Sequence, residues 1–234
     1  AFYDIRNLGE IHFSVGLEMI GDSAFWNCNG LESVTFPEGL ESLGDSAFAS
    51  CSKIENLVLP DSLQSIGPHA FAYCSTLALI NLPSGLLTIE AGLFERCTSL
   101  TSIEIPGTVT YIGDFAFRSC SGLTNVVVPD SVLEMGPWVF RDCFSLESGQ
   151  LSSGLTELRN GVLYGCGSLT GLEIPESVTV FGVDVFSGLA SVTSLTLPPA
   201  IDSFEERLFA GLSSLTSVIL PEGITEIKDE MFSG

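Results

Sequence analysis

One spacing governs this chain. Phenylalanine stands at Phe2, Phe25, Phe48, Phe71, Phe94, Phe117, Phe140, Phe186, Phe209 and Phe232, and Leu163 fills the single gap. All seven cysteines follow three residues behind that series, at Cys28, Cys51, Cys74, Cys97, Cys120, Cys143 and Cys166. Proline keeps the same beat at Pro37, Pro60, Pro83, Pro106, Pro129, Pro175, Pro198 and Pro221. The step is 23 residues, with neither insertion nor deletion. A chain with so strict a period folds as stacked copies of one short unit, because a single copy cannot bury its apolar side chains alone.

Each unit reads A-F-x-x-C-x-x-L-x-x-V-x-L-P-x-x-L-x-x-I-G-x-x, seen cleanly from Ala47-Phe48 through Cys51, Ile54, Leu57, Leu59, Pro60, Leu63, Ile66 and Gly67. Alternation in segments such as Val34-Thr35-Phe36 predicts one brief strand, with Val34 and Phe36 inward and Ser33 and Thr35 outward. The proline has no N–H to continue a ladder, so it ends the strand. The L-x-x-I-G stretch predicts a second short extended piece, closed by Gly21, Gly44, Gly67, Gly113, Gly136 and Gly182 as turn residues tolerant of positive φ. Apolar residues three apart in A-F-x-x-C-x-x-L suit one helical or 3₁₀ turn on the opposite side.

Composition narrows the function classes. Hydrophobic residues make up 45% of the 234, yet they come singly or in short groups broken by Gly, Pro and Ser. No run approaches the roughly 18 apolar residues of a membrane helix, so no membrane insertion is expected. Eight Lys and Arg against 29 Asp and Glu give a formal net charge of −21. Such a surface repels nucleic acid at long range, so no nucleic-acid partner is expected; it favours solubility and suits basic partners or divalent cations. No Asn-x-Ser/Thr sequon occurs. Enzyme signatures are missing too: there is no G-x-S-x-G, no phosphate-binding G-x-x-x-x-G-K-S/T and no H-E-x-x-H. The two histidines, His12 and His69, stand at different places in the repeat, which leaves no zinc spacing and no Ser-His-Asp set. No catalytic residue, cofactor or metal is therefore expected.

The pattern Ile-Gly-x-x-Ala-Phe-x-x-Cys-x-x-Leu-x-x-Val-x-Leu-Pro resembles the BspA-type (Treponema pallidum-like) leucine-rich repeat, a 23-residue class. The match runs the length of the chain. It departs at 144–163, where Gly149 replaces the apolar strand residue, Ser152 the proline and Leu163 the phenylalanine. The resemblance implies an α/β solenoid: a right-handed leucine-rich-repeat superhelix of about ten coils with short parallel strands. It also implies use in adhesion or protein–protein contact, at the cell surface or after secretion, without enzymatic activity. Residues 1–234 are expected to form a single solenoid domain. Because both ends fall mid-repeat without a polar cap, the chain reads as an excerpt of a longer one.

Several features compete as sites. The cysteine column places thiols at about coil spacing, near the range a disulfide accepts. However, Leu189, Leu212 and Ile5 occupy the same slot, which marks it as an apolar core position holding reduced thiols. The outward strand residues form two columns with no Lys or Arg. One of them carries Asn81, Glu104, Gln150 and Glu173, and it is either a docking surface or an ordinary solvated sheet. On another side, Phe115 and Trp138 share one position in consecutive coils, with Arg118 and Arg141 three residues on from each. Aromatic rings beside arginines are the make-up of an interface hot spot; arginine stems lying over rings as local packing are the alternative. Gly149 should leave a core vacancy, for which a bend in the superhelix is the main expectation; Phe144 folding in to fill it and a ligand notch are the alternatives. The main expectation is a scaffold that binds a protein or a glycan through its strand face or its aromatic flank. The alternative is a structural subunit that assembles through its open coils.

Overall fold

A computed structural model describes residues 2–201 and 203–234. They form a parallel β-solenoid of about nine turns of roughly 23 residues. Two strand series run along it. The first includes Glu10–His12, Ser33–Thr35, Asn125–Val127, Ser148–Gln150 and Ser217–Ile219; the second includes Met19–Ile20, Ser42–Leu43, Ser65–Ile66 and Tyr111–Ile112. Every pairing is parallel and offset by one repeat, as in Glu10↔Ser33, Val126↔Gly149↔Leu172 and Leu43↔Ile66. The outward positions are exposed and the central ones buried or half-buried, as the alternation requires.

The helical turn is corrected here. No helix forms among the described residues, and no strand forms over residues 101–106, where the first series is interrupted. Backbone bonding explains the missing helix. In the A-F-x-x-C stretch the N–H groups of Ser23, Phe25 and Asn27 point along the column and bond Asp45, Ala47 and Ala49 of the next coil, each at 2.8 Å. The N–H groups between them, of Ala24, Trp26 and Cys28, turn back to the carbonyls of Gly21, Ser23 and Phe25. Left-handed residues at Ser23 (φ 51°) and Asn27 (φ 57°) produce this alternation, and it repeats in every coil. A helix would turn every N–H back along the chain and forfeit the bonds between coils.

The glycine that follows the second strand also has a different role from the one expected. Gly44 does not adopt positive φ; a Cβ there would lie 2.5 Å from the Asp22 nitrogen of the preceding coil. Close approach of backbones, not turn conformation, excludes a side chain. Positive φ falls two residues later.

Inside the column, neighbouring phenylalanines of the ladder stack with centroids 5.0 to 6.1 Å apart and planes within 21°. Leu163, 2% exposed, bridges the gap between Phe140 and Phe186. Beside them every cysteine is free and buried. Each thiol donates to the carbonyl of the phenylalanine in the coil before, for example Cys51 Sγ to Phe25 O at 3.2 Å. Leucine fits the slot but cannot make that bond. The irregular coil keeps its register through Gly149. Phe144 does not fold inward: it is 57% exposed. The neighbouring strands close around Gly149, whose missing Cβ would lie 3.4 Å from Val126, so no hole remains for a ring. Ser152 stands buried in the proline slot and donates to Val132 O at 2.6 Å.

Candidate functional site

The strand face assembles the first group of candidates. Asn81, Glu104, Gln150 and Glu173 are all exposed and share one column, with Gln150 directly opposite Glu173. Between them and beside them lie exposed apolar residues: Val58 (77% exposed), Leu79 (59%) and Val127 (51%). An open depression of about 710 Å³ covers Val58, Leu79, Asn81 and Glu104. Asn81 is not free within it. Its Oδ1 accepts from the Leu59 N–H at 2.9 Å and its Nδ2 donates to the Leu59 carbonyl at 3.0 Å, so its amide clamps two coils. Glu104, Gln150 and Glu173 make no side-chain bond among the described residues.

The flank holds the second group, on a different ladder of the coil. Phe115 and Trp138 both occupy the first left-handed position, at φ 58° and 61°. Arg118 sits over Phe115 at 5.5 Å, and Arg141 over Trp138 at 5.0 Å and over Tyr164 at 5.1 Å. Trp138 and Tyr164 meet edge to face with centroids 5.8 Å apart. The Trp138 ring also lies on Gly161, whose absent Cβ would fall 1.9 Å from Cε3. Both faces of Trp138 are thus covered, by a guanidinium and by backbone. Arg141 is paired with Asp142 at 3.3 Å, and Arg118 with the buried Glu95 at 3.3 Å. Arginine stems over rings are what the structure contains at this pair.

Sequence reasoning missed Tyr164, Glu95, Tyr73 and Arg96 in the flank. Glu95, 7% exposed, stands where neighbouring coils place Ala49 and Ala72; its other oxygen lies 3.7 Å from His69 Nδ1. Tyr73 and Arg96 occupy the second left-handed position in consecutive coils, at φ 62° and 59°. The Arg96 guanidinium rests over the Tyr73 ring at 5.6 Å, and both residues are exposed. Their spacing of 23 was visible, but a single tyrosine followed by an arginine does not stand out among the repeats as the Phe115 and Trp138 pair with its two arginines does.

The repeat decides the family. A model of the BspA-type leucine-rich repeat region, in six copies, matches residues 1–124 and 110–234. The chain belongs to the BspA-type leucine-rich repeat family. Among solved structures of this kind, the leucine-rich repeat protein of T. pallidum is 36% identical, covering 75% of this chain and 78% of that one with a TM-score of 0.64. A leucine-rich repeat protein from Bacteroides ovatus is 28% identical over 96% of this chain and 70% of that one, also at 0.64. The pneumococcal vaccine antigen PcpA is 25% identical over 93% of this chain and 62% of that one, at 0.66. No curated protein matches. In this BspA-type column the described residues contain no group of three or more His, Cys, Asp or Glu placed to hold a metal ion. No helix among them is long and apolar enough to cross a membrane.

Proposed function

We propose that this BspA-type solenoid is a non-enzymatic scaffold that binds a protein partner, with the strand face as its main docking surface. The observation that carries this reading is the exposed Val58–Leu79 apolar area inside the depression that also holds Glu104. Side chains on adjacent parallel strands have fixed positions, so they offer a partner a pre-organised surface at little entropic cost. A glycan is the second class of ligand such a face accepts, and Gln150 and Glu173 extend it with free polar groups. Adhesion at the cell surface or after secretion is the setting we infer, in keeping with the vaccine antigen among its relatives. We further propose that residues 1–234 wind as one right-handed solenoid domain without catalytic activity.

The test is affinity capture from the source cells, comparing the native chain with the Val58→Asp, Leu79→Asp double variant. The expected result is a partner held by the native chain and lost from the variant. A partner held equally by both would overturn the strand-face assignment.

A further inference from the structure

Seven of the eight basic side chains are already paired with a carboxylate. Arg6 pairs with Asp4, Lys53 with Glu32, Arg118 with Glu95 and Arg141 with Asp142. Arg159 pairs with Glu134 and Glu157, Arg207 with Asp184 and Lys228 with Glu205. Only Arg96 lacks one among the described residues, in a chain carrying 29 acidic side chains. Its guanidinium is instead held over the exposed face of Tyr73. That contact fixes the direction of a long side chain and leaves its N–H donors free, which is the state of a donor prepared for an acceptor from outside.

A second observation is independent of charge. The left-handed positions of this column are taken in many other coils by small residues such as Ser23, Asn27, Ser46, Ser50, Gly165 and Gly188, and by the longer His69, Arg207 and Glu230 in three. Bulky side chains are strained there. Yet Tyr73, Arg96, Phe115 and Trp138 occupy these positions in successive coils. Trp138 is covered on both faces and stabilises its own neighbourhood. Tyr73 and Arg96 are exposed; their left-handed backbone serves the bonds between coils, Tyr73 N–H to Glu95 O at 2.7 Å and Arg96 N–H to Arg118 O at 2.8 Å, which leaves the choice of two bulky side chains there unexplained by the backbone. An aromatic ring and a cation set together at exposed positions that a small residue fills elsewhere make this patch the candidate for an outside contact.

We propose that Arg96, seated on Tyr73, docks a single carboxylate of a partner's extended segment, with an apolar residue beside that carboxylate resting against the exposed Tyr73 side chain. A chain of net charge −21 repels a highly acidic partner. One carboxylate among neutral and apolar residues avoids most of that repulsion and still supplies the missing counter-charge. This inference rests on the scaffold reading and gives it a second, chemically selective contact.

The test uses the full chain and an immobilised array of octapeptides, each with one glutamate among neutral and apolar residues, beside the same array with glutamine. Peptides retained through Arg96 should bind about tenfold more tightly with glutamate than with glutamine, the range of a charge-assisted hydrogen bond. The Arg96→Asn variant should lose that preference while its unfolding midpoint rises, because asparagine suits the left-handed backbone. Tyr73→Phe, which keeps the ring, should retain binding. Equal binding by native chain and Arg96→Asn overturns the Arg96 contact but leaves the strand-face scaffold standing. A blank peptide array with Arg96-dependent retention of sialylated or uronic oligosaccharides overturns the peptide occupant. A midpoint that falls in Arg96→Asn assigns Arg96 a structural role and also overturns the proposal.

Discussion

At residue scale the cysteines and the left-handed positions show how a backbone requirement selects side chains. Burial pushes the Cys74, Cys120 and Cys166 thiols from an ordinary 9.0 up to about 12, and raises Cys97 and Cys143 in the same direction. A raised pKa means the folded chain keeps its protons where the unfolded chain loses them. Stability is therefore complete below pH 9 and falls from there towards pH 12, by about 1.4 kcal/mol per thiol per pH unit. Chemical denaturation at pH 7 and pH 10 should show the loss, and Cys97→Leu should reduce it. The same burial predicts that a thiol reagent leaves Cys74 and Cys97 untouched in the native chain and reacts promptly in denaturant. At Gly161 (φ +57°) an alanine meets both backbone strain and the Trp138 ring. Gly161→Ala should cost about 2 kcal/mol, and roughly half of that in a Trp138→Ala background, by equilibrium unfolding of the four members of the cycle.

At the scale of elements, stability resides in columns that cross coils. Phe94 is fully buried between Phe71 and Phe117 at centroid distances of 5.9 and 5.6 Å. Phe94→Ala should cost about 3–5 kcal/mol. An unchanged unfolding midpoint would mean that the ladder is not buried. Polar clamps work along the same columns. The Asn81 amide stands in for a peptide group against Leu59, just before the coil at 101–106 that has no strand. Asn81→Leu would leave the Leu59 N–H and carbonyl without their side-chain partners. It should cost about 1–3 kcal/mol, measured by denaturant titration.

At the scale of the molecule, net charge acts on the whole column at once. With a net charge of −21 the folded column repels itself, and its seven carboxylate-paired cations are too few to cancel that. Screening relieves such repulsion, so the thermal midpoint should rise by several degrees between low salt and 0.5 M sodium chloride. A midpoint independent of salt would show that the carboxylates are spaced too widely to matter.

The period, the inward ladders and the family were all legible in the residues. Any chain that places Phe, Cys and Leu every 23 positions can bury them only by stacking, whatever the details of the path. The outward strand residues were legible for the same reason, since alternation needs only the neighbouring residue. What lay beyond reach depends on which backbone bonds win. The A-F-x-x-C stretch has helical apolar spacing, but its N–H groups find better partners in the next coil, which no local pattern encodes. The role of Gly44, the outward turn of Phe144 and the covering of Trp138 by Gly161 likewise depend on contacts between coils. So does the flank: Arg96 is distinguished by forming no ion pair among the described residues, a property of the assembled surface that a linear sequence does not display.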